Sequence, residues 1–304
     1  MKLLARGKVK EVYEISEREL EFRFTDNISV FDKVIPSKVP HKGETLCRTS
    51  AHWFRRLEHL GVRTHFLTTV GGSRMRVQRV QVITDYAKID RTTRNYLIPL
   101  EVITRYYVAG SLHDRIKAGS VSPHALGFAA GHVPKYGEPL PEPFIEVTTK
   151  FEKVDRPLSI EEALQISGLS KADFQDLREL TLRIDETLNH EVRERGLIHV
   201  DGKKEFAFNA DRELILVDTF GTADEDRFWD LAEYEKGDCV ELSKEVVRQH
   251  YRETGYHGRL YEARAKGLPE PEIPALPDDV LQKVSDLYID LFQRLTGEPF
   301  RGRR

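Results

Sequence analysis

The sequence predicts an α+β fold in two lobes: a small N-terminal lobe of antiparallel strands over residues 1–95, and a larger α+β lobe over residues 96–304. Three observations carry this expectation. The chain opens on short strand-like runs at residues 2–5, 11–14 and 20–25, separated by Gly7 and by polar turns. Its second half holds long helix-period stripes, one through Phe174, Leu177, Thr181, Ile184, Leu188 and Val192, another through Val280, Val284, Leu287, Leu291 and Leu295. Between those stripes, residues 199–230 read as a hairpin.

Arg6-Gly7-Lys8-Val9-Lys10 lies between the first two strands. A glycine turn followed by two lysines on one face can cover a polyphosphate with backbone N–H groups and ammonium heads. The same pattern also suits a solvated surface turn. Residues 26–43, with Asp26, Asn27, Asp32, Pro36, Pro40 and Gly43, read as an irregular loop. A helix follows over about residues 44–60, its stripe of Leu46, Trp53, Leu57 and Leu60 facing inward and Gly61 supplying the stop. Residues 62–89 alternate well enough for several antiparallel strands.

Residues 96–112 form a strand with Glu101 and Arg105, followed by Ala109-Gly110-Ser111. Arg105, the Ser111 hydroxyl and nearby amides can take a phosphate monoester, because guanidinium matches phosphate bidentately. The Gly- and Pro-rich residues 119–143 read as a long connection, with Thr148-Thr149-Lys150 after it. Ser159 and Glu162 form a capping box, and Ser170 caps a longer helix that Gly196 ends. Ser243 is expected to cap a helix through Tyr251, residues 269–277 form a Pro-rich strap, and Asp278 or Asp279 starts a last helix stopped by Gly297.

The hairpin is where the pattern carries most chemistry. Asp201, Lys203 and Glu205 alternate at period two and share one face, while Phe206 and Phe208 fall on the other. After the turn at residues 209–212 comes the apolar run Leu214-Ile215-Leu216-Val217, closed by Asp218. Pairing across that turn puts Asp218 beside Lys203 and Glu205. Two carboxylates and an ammonium in one small volume suit Mg²⁺ and nucleotide phosphates. They equally suit a salt-bridged, solvated face.

With 304 residues the chain can bury a sizeable core. A net charge of −3, from 47 basic and 50 acidic residues, gives no electrostatic case for nucleic acid as a partner. Two cysteines, Cys47 and Cys239, make neither a disulfide framework nor a metal motif, so a reducing, cytoplasmic setting is expected. No segment has the roughly 20 apolar residues of a membrane span.

Taken together, these motifs resemble those of the SAICAR synthetases, ligases of purine biosynthesis, in their longer form. RGKVKEVYE is similar to that family's nucleotide loop, and ISVFDKVIPSKVPHKG to its Ile-Ser-Ala-Phe-Asp to Pro-Gly-Lys-Gly segment. IPLEVITRYYVAGSL resembles the Pro-x-Glu-x-x-x-Arg to Ala-Gly-Ser signature, and VDGKKEFAF the Asp-x-Lys-x-Glu-Phe strand. VDTFGTADEDRFW resembles the loop that ends in Arg-Phe-Trp, and residues 274–300 the C-terminal helix. The order of these segments covers nearly the whole chain.

The resemblance implies ATP- and Mg²⁺-dependent amide formation, with ATP in a cleft between the lobes. The carboxylate of a phosphoribosyl aminoimidazole carboxylate would be phosphorylated, and the amine of L-aspartate would displace phosphate. Carried over by position, Gly7, Lys8, Lys10, Glu101, Glu205 and Asp218 would serve ATP, with Glu205 and Asp218 holding the metal. Asp201 and Lys203 would line the reacting centre. Arg105, Ser111 and Arg227 would take the substrate phosphate, and Asp32, Lys150 and Asp224 would line the substrate pocket.

The chain also departs from the family pattern. Thr219 stands where Glu is usual, Ala223 where Pro is usual, the loop is one residue longer near Gly221, Ser243-Lys244-Glu245 replaces Asp-Lys-Gln, and Ala207 replaces a glycine. Such changes suit a relative that joins another amine or another heterocyclic acid. A nucleotide-binding regulatory protein without catalysis is a further reading, and the retained Lys8, Lys10, Glu205 and Asp218 speak against it.

Overall fold

The computed structural model describes residues 1–152 and 154–302. It is α+β with antiparallel sheets, as predicted. The N-terminal strands β1 (Lys2–Arg6), β2 (Lys10–Glu14) and β3 (Glu19–Phe24) form a meander. A hairpin of β4 (Asn27–Val30) and β5 (Lys33–Lys38) comes next, then helix α1 (Lys42–His59), β6 (Phe66–Thr69) and β7 (Arg74–Gln78). The first sheet has the order β1-β2-β3-β7-β6.

The β4–β5 hairpin replaces the expected irregular loop, because Ile28, Val30 and Ile35 alternate inward and are buried. Helix α1 ends one residue short of Leu60, which is therefore exposed and not part of the inward stripe. Only two of the strands expected in residues 62–89 form. The stretch after β7 is irregular apart from a single 3₁₀ turn at Tyr86–Lys88.

The larger sheet is built from β8 (Tyr96–Tyr107), β9 (Pro139–Thr149), β10 (Leu197–Phe208), β11 (Leu214–Val217) and β12 (Asp226–Asp230). Its order is β11-β10-β8-β9, with β12 also pairing β10. One edge of β10 is therefore shared. β11 covers Glu205 to Phe208, β12 covers Leu197 to Gly202, and the loop of residues 218–225 leaves the sheet between them, beside Lys203. That interruption positions the site.

Helix α2 (Gly110–Lys117) follows β8 where no helix was expected, and β9 begins inside the expected long connection. Pro139, Pro141 and Pro143 sit at the start of β9, an edge strand, where missing N–H donors disrupt no ladder. Helices α3 (Ile160–Ser167) and α4 (Lys171–Glu194) begin with the capping boxes at Ser159/Glu162 and Ser170/Asp173. After the short helix α5 (Leu231–Glu235) comes α6 (Glu245–Glu253). Ser243 does not cap α6: its hydroxyl donates to Glu241 Oε1 at 2.5 Å, and Lys244 occupies the N-cap position without a side-chain bond. Helix α7 (Tyr256–Ala265), also unexpected, precedes the strap, which buries Ile273 and Leu276. Helix α8 (Asp278–Thr296) ends at Gly297, whose φ of 72° is the left-handed geometry that makes glycine a helix stop.

One apolar cluster joins the two sheets. It runs from Phe22 and Met75 through Trp53, Phe54 and Leu57 of α1 to Phe206 and Phe208 of β10, Ile184 and Leu188 of α4, and Tyr288 and Leu291 of α8. The sheets also touch through the backbone, where His65 N–H donates to Leu216 O at 3.0 Å and Leu216 N–H to Arg63 O at 3.0 Å. Among the described residues, no helix is long and apolar enough to cross a membrane.

Candidate active site

One face of the larger sheet carries the charged residues, and the strand registers explain why they meet. Glu101 of β8 pairs with Glu205 on one side and Thr148 on the other, so all three share a face. Lys203 Nζ lies 2.8 Å from Glu101, 3.7 Å from Glu205 and 3.4 Å from Glu225. Lys150, just beyond β9, is 2.5 Å from Glu205. Burial alone would raise the Glu205 carboxyl, but Lys150 and Lys203 outweigh it and leave it below its usual range. At Glu101 burial wins over Lys203 and the carboxyl is raised. Lys203 shows the converse balance: despite burial, the Glu225, Glu205 and Glu101 carboxylates hold its ammonium well above the ordinary lysine range.

Asp218 closes β11 but does not stand beside Lys203. Its backbone turns left-handed, with φ 61°, a conformation Asp tolerates better than most residues, and its carboxylate meets Lys10 of β2 instead. Lys10 also lies 4.3 Å from the Phe22 ring centroid. His65 fixes the same turn from below, its Nε2 3.2 Å from the Asp218 carbonyl oxygen. Burial, reinforced by Lys10, lowers the His65 pKa to about 3, so the ring is neutral and Nε2–H donates. The Gly7 turn, closed by Gly7 N–H to Lys10 O at 2.8 Å, therefore faces the end of β11. Lys8 extends outward and pairs with the exposed Asp32 at 3.1 Å.

At the other end of this face, Asp201 pairs in register with Arg105 of β8 and Arg227 of β12. Arg105 is held by three partners: Nε to Glu146 at 2.8 Å, Nη1 to Asp201 at 3.3 Å and Nη2 to Ser111 Oγ at 3.1 Å. Arg227 Nη1 lies 3.8 Å from Asp201, and the guanidinium packs so closely on Gly110 that a Cβ there would be 2.6 Å from it. Arg105, Ser111 and Arg227 thus converge from distant segments.

Two expected pocket residues lie elsewhere. Asp224 is buried, with its oxygens taken by Lys42 at 2.7 Å, Tyr288 Oη at 2.7 Å and Lys244 at 3.3 Å, so it braces the loop and presents no open carboxylate. Burial works against its ionisation, but Lys42 and Lys244 keep its carboxyl far below the usual range. Asp32 is exposed beside the Gly7 turn. Among residues that sequence reasoning missed, Glu225 touches Lys203, while Glu146 holds both Arg105 and Arg115. Glu146, Thr148 and Lys150 alternate at period two, a signal that was there to be read. The extra loop residue near Gly221 seats on α1: Trp53 Nε1 donates to Gly221 O at 3.1 Å.

Residues 3–262 match the family model described as SAICAR synthetase. The chain belongs to the SAICAR synthetase family. It is 55% identical over 298 residues to the phosphoribosylaminoimidazole-succinocarboxamide synthase of Thermoplasma acidophilum, covering 98% of this chain and 99% of that one. Its fold matches a SAICAR synthase from Saccharomyces cerevisiae solved with SAICAR, at TM-score 0.75 and 26% identity, covering 99% of this chain and 96% of that one. It also matches a type-2 SAICAR synthetase solved with ADP, at TM-score 0.69 and 25% identity, over 98% and 99% of the two chains. Within the SAICAR synthetase pattern, the departures noted above leave the Lys10–Asp218 end and the Arg105–Arg227 end in place.

Proposed function

We propose that this protein joins L-aspartate to the carboxylate of 5-amino-1-(5-phosphoribosyl)imidazole-4-carboxylate, converting ATP to ADP and phosphate as SAICAR forms. One observation carries the reading. A single strand, β10, presents Glu205, Lys203 and Asp201 in succession on one face, with the Gly7 turn and Lys10 toward one end and the arginines at the other. Four residues of extended strand span roughly 13 Å, enough to separate a nucleotide end from a phosphate end with a ribosyl heterocycle between them.

In this reading a carboxylate oxygen of the ribotide attacks the γ-phosphorus and ADP departs, leaving an acyl phosphate. The aspartate amine then attacks the acyl carbon, the C–O bond to phosphate breaks, and the amine nitrogen gives up its proton to the released phosphate. The residues align and neutralise more than they transfer protons. The Gly7 turn, Lys8 and Lys10 hold polyphosphate, and Glu101 lies near the nucleotide. Lys203, kept charged by its three carboxylates, sits where negative charge gathers at the reacting carboxylate, with Asp201 beside it. Lys150 orients Glu205. Arg105, Ser111 and Arg227 anchor the ribotide phosphate. Asp32 closes the outer side of the nucleotide turn through Lys8.

Glu205 and Asp218 would hold Mg²⁺. Among the described residues no group of three or more acidic, His or Cys side chains forms a closed metal cage. Two carboxylates, each now balanced by a lysine, fit a cation that takes its other oxygens from phosphate and water. When bound, it neutralises charge on the transferring phosphoryl group.

The test is to incubate the protein with ATP, Mg²⁺ and the imidazole carboxylate ribotide, and to compare L-aspartate with other amino acids by ADP release and product mass. SAICAR formation with L-aspartate preferred is the expected result. Preference for another amine would overturn the acceptor, and no ADP release with any amine would overturn the activity.

A further inference from the structure

Three substrates have to meet at Lys203, and both directions along β10 are taken, toward Lys10 and Asp218 at one end and toward Arg105 and Arg227 at the other. The third approach lies across the strand. On the β8 side stands Glu101, which has little solvent contact and accepts from Lys203 at 2.8 Å. On the other side the ladder is interrupted: β12 leaves β10 at Gly202 and β11 joins it only at Glu205, so no strand flanks Lys203 there. The loop brings Glu225 into this gap. Its carbonyl oxygen accepts the Lys203 N–H at 3.3 Å, and its carboxylate lies 3.4 Å from Lys203 Nζ.

The Glu225 side chain is 23% exposed, against 10% for Glu101 and 4% for Glu205. Among the described residues Lys203 is its one ion-pair partner, whereas Glu205 is also held by Lys150. Its charge acts on Lys10 as well as on Lys203, so the carboxylate faces into the cleft. Its backbone is fixed from behind, because the next residue, Asp226, accepts the Gly221 N–H at 2.7 Å and meets His199 Nε2 at 2.8 Å, with both side chains fully buried.

We infer that Glu225 binds the ammonium group of the incoming amino acid and aims its nitrogen at the acyl carbon activated beside Lys203. The inference rests on the placement of the reacting carboxylate at Lys203 under the proposed function. When that carboxylate takes the Lys203 ammonium, Glu225 shares its only counter-charge, and a second ammonium arriving through the gap restores the balance. Two oxygens that share one ammonium lie roughly 4–5 Å apart, so a nitrogen bonded to Glu225 comes within reach of the acyl carbon. The ammonium carries one proton more than the attacking amine. Glu225 takes that proton and passes it to solvent on its open side, while the second proton leaves with phosphate as the amide forms. Glu225 thereby selects a nucleophile that arrives as a cation.

Kinetics on the full chain with two nucleophiles test this. Hydroxylamine is uncharged at neutral pH and traps acyl phosphates as hydroxamates, so it needs no carboxylate to hold it. In Glu225→Gln, which keeps the side-chain shape, the ratio of kcat/KM for L-aspartate to that for hydroxylamine should fall by about tenfold to a hundredfold relative to the parent. Glu225→Ala should show the same fall, and Glu225→Asp should recover part of it. ADP release and product mass give the rates, and melting temperatures show that each variant is folded. A ratio unchanged in both Glu225→Gln and Glu225→Ala overturns the inference, because a Glu225 that only keeps Lys203 charged would slow both nucleophiles alike. In that case the proposed function stands and this inference alone falls. If the parent releases ADP with neither nucleophile, the proposed function falls and this inference with it.

Discussion

The Lys10 ammonium rests against the Asp218 carboxylate and so ties β2 of the first sheet to the end of β11 in the second. With Lys8 on Asp32, both lysines of the Gly7 turn are already paired with carboxylates. Polyphosphate binding is then an exchange of partners, and the carboxylate released at Asp218 is the one offered to the metal. Asp218→Asn keeps the shape and tolerates the left-handed backbone, but removes one charge. The variant should stay folded, need more Mg²⁺ for ATP binding, and lose turnover. ATP titrations across Mg²⁺ concentrations check this, and full turnover at limiting Mg²⁺ would exclude the role.

Arg227→Ala should leave ATP binding and melting close to the parent and raise the ribotide KM. Loss of one charge-assisted contact is worth about 1.5–3 kcal/mol, roughly tenfold to a few hundredfold in kcat/KM. The competing view is that Arg227 only neutralises Asp201 and Glu241 within the fold. An early-melting variant with an unaltered ribotide KM would decide for that view.

His65 should make the protein acid-sensitive. Its folded pKa of about 3 lies below the unfolded value near 6.5, so below pH 6.5 the unfolded chain takes up a proton that the folded chain refuses. Stability from this group is complete above pH 6.5 and is lost as pH falls, by roughly 2 kcal/mol at pH 5. His65→Phe removes the titration and packs against Phe22 and Phe54. Urea midpoints between pH 7 and pH 5 should therefore fall less in the variant; parallel decline in both proteins would refute the assignment.

Lys204 points away from the site, into the core, where its ammonium meets Asp185 of α4 and both side chains are fully buried. Removing one partner strands a buried charge, so Lys204→Met or Asp185→Leu alone should cost about 3–5 kcal/mol. The double variant should cost less than either single one. Chemical denaturation of the three variants measures this, and additive losses would show that the pair is not coupled.

The sequence made the hairpin legible because its alternation was strict. The prediction that Asp201, Lys203 and Glu205 oppose Phe206 and Phe208 matches the register, with Glu205 across from Val217. The same alternation put Lys204 on the core face, a signal easily passed over because lysine is expected in water. Asp218 was misplaced by one turn of backbone, since a left-handed residue ends the strand and no periodicity marks it. Ser243 was misread because Glu241 competes for its hydroxyl, a contact set by the tertiary fold. The burial of Lys42 on Asp224 depends on a loop 182 positions away and left no local trace.

The apolar cluster that runs unbroken from Phe22 to Leu291 also governs how the molecule comes apart. Neither sheet owns a complete interior, since α1 covers the first sheet with one side and lies against α8 with another. A break after residue 95 would leave two fragments, each exposing half of an oily surface and neither able to persist alone. Heat should accordingly dismantle the protein in one cooperative step, and the two halves, if co-expressed, should recover structure only by finding each other.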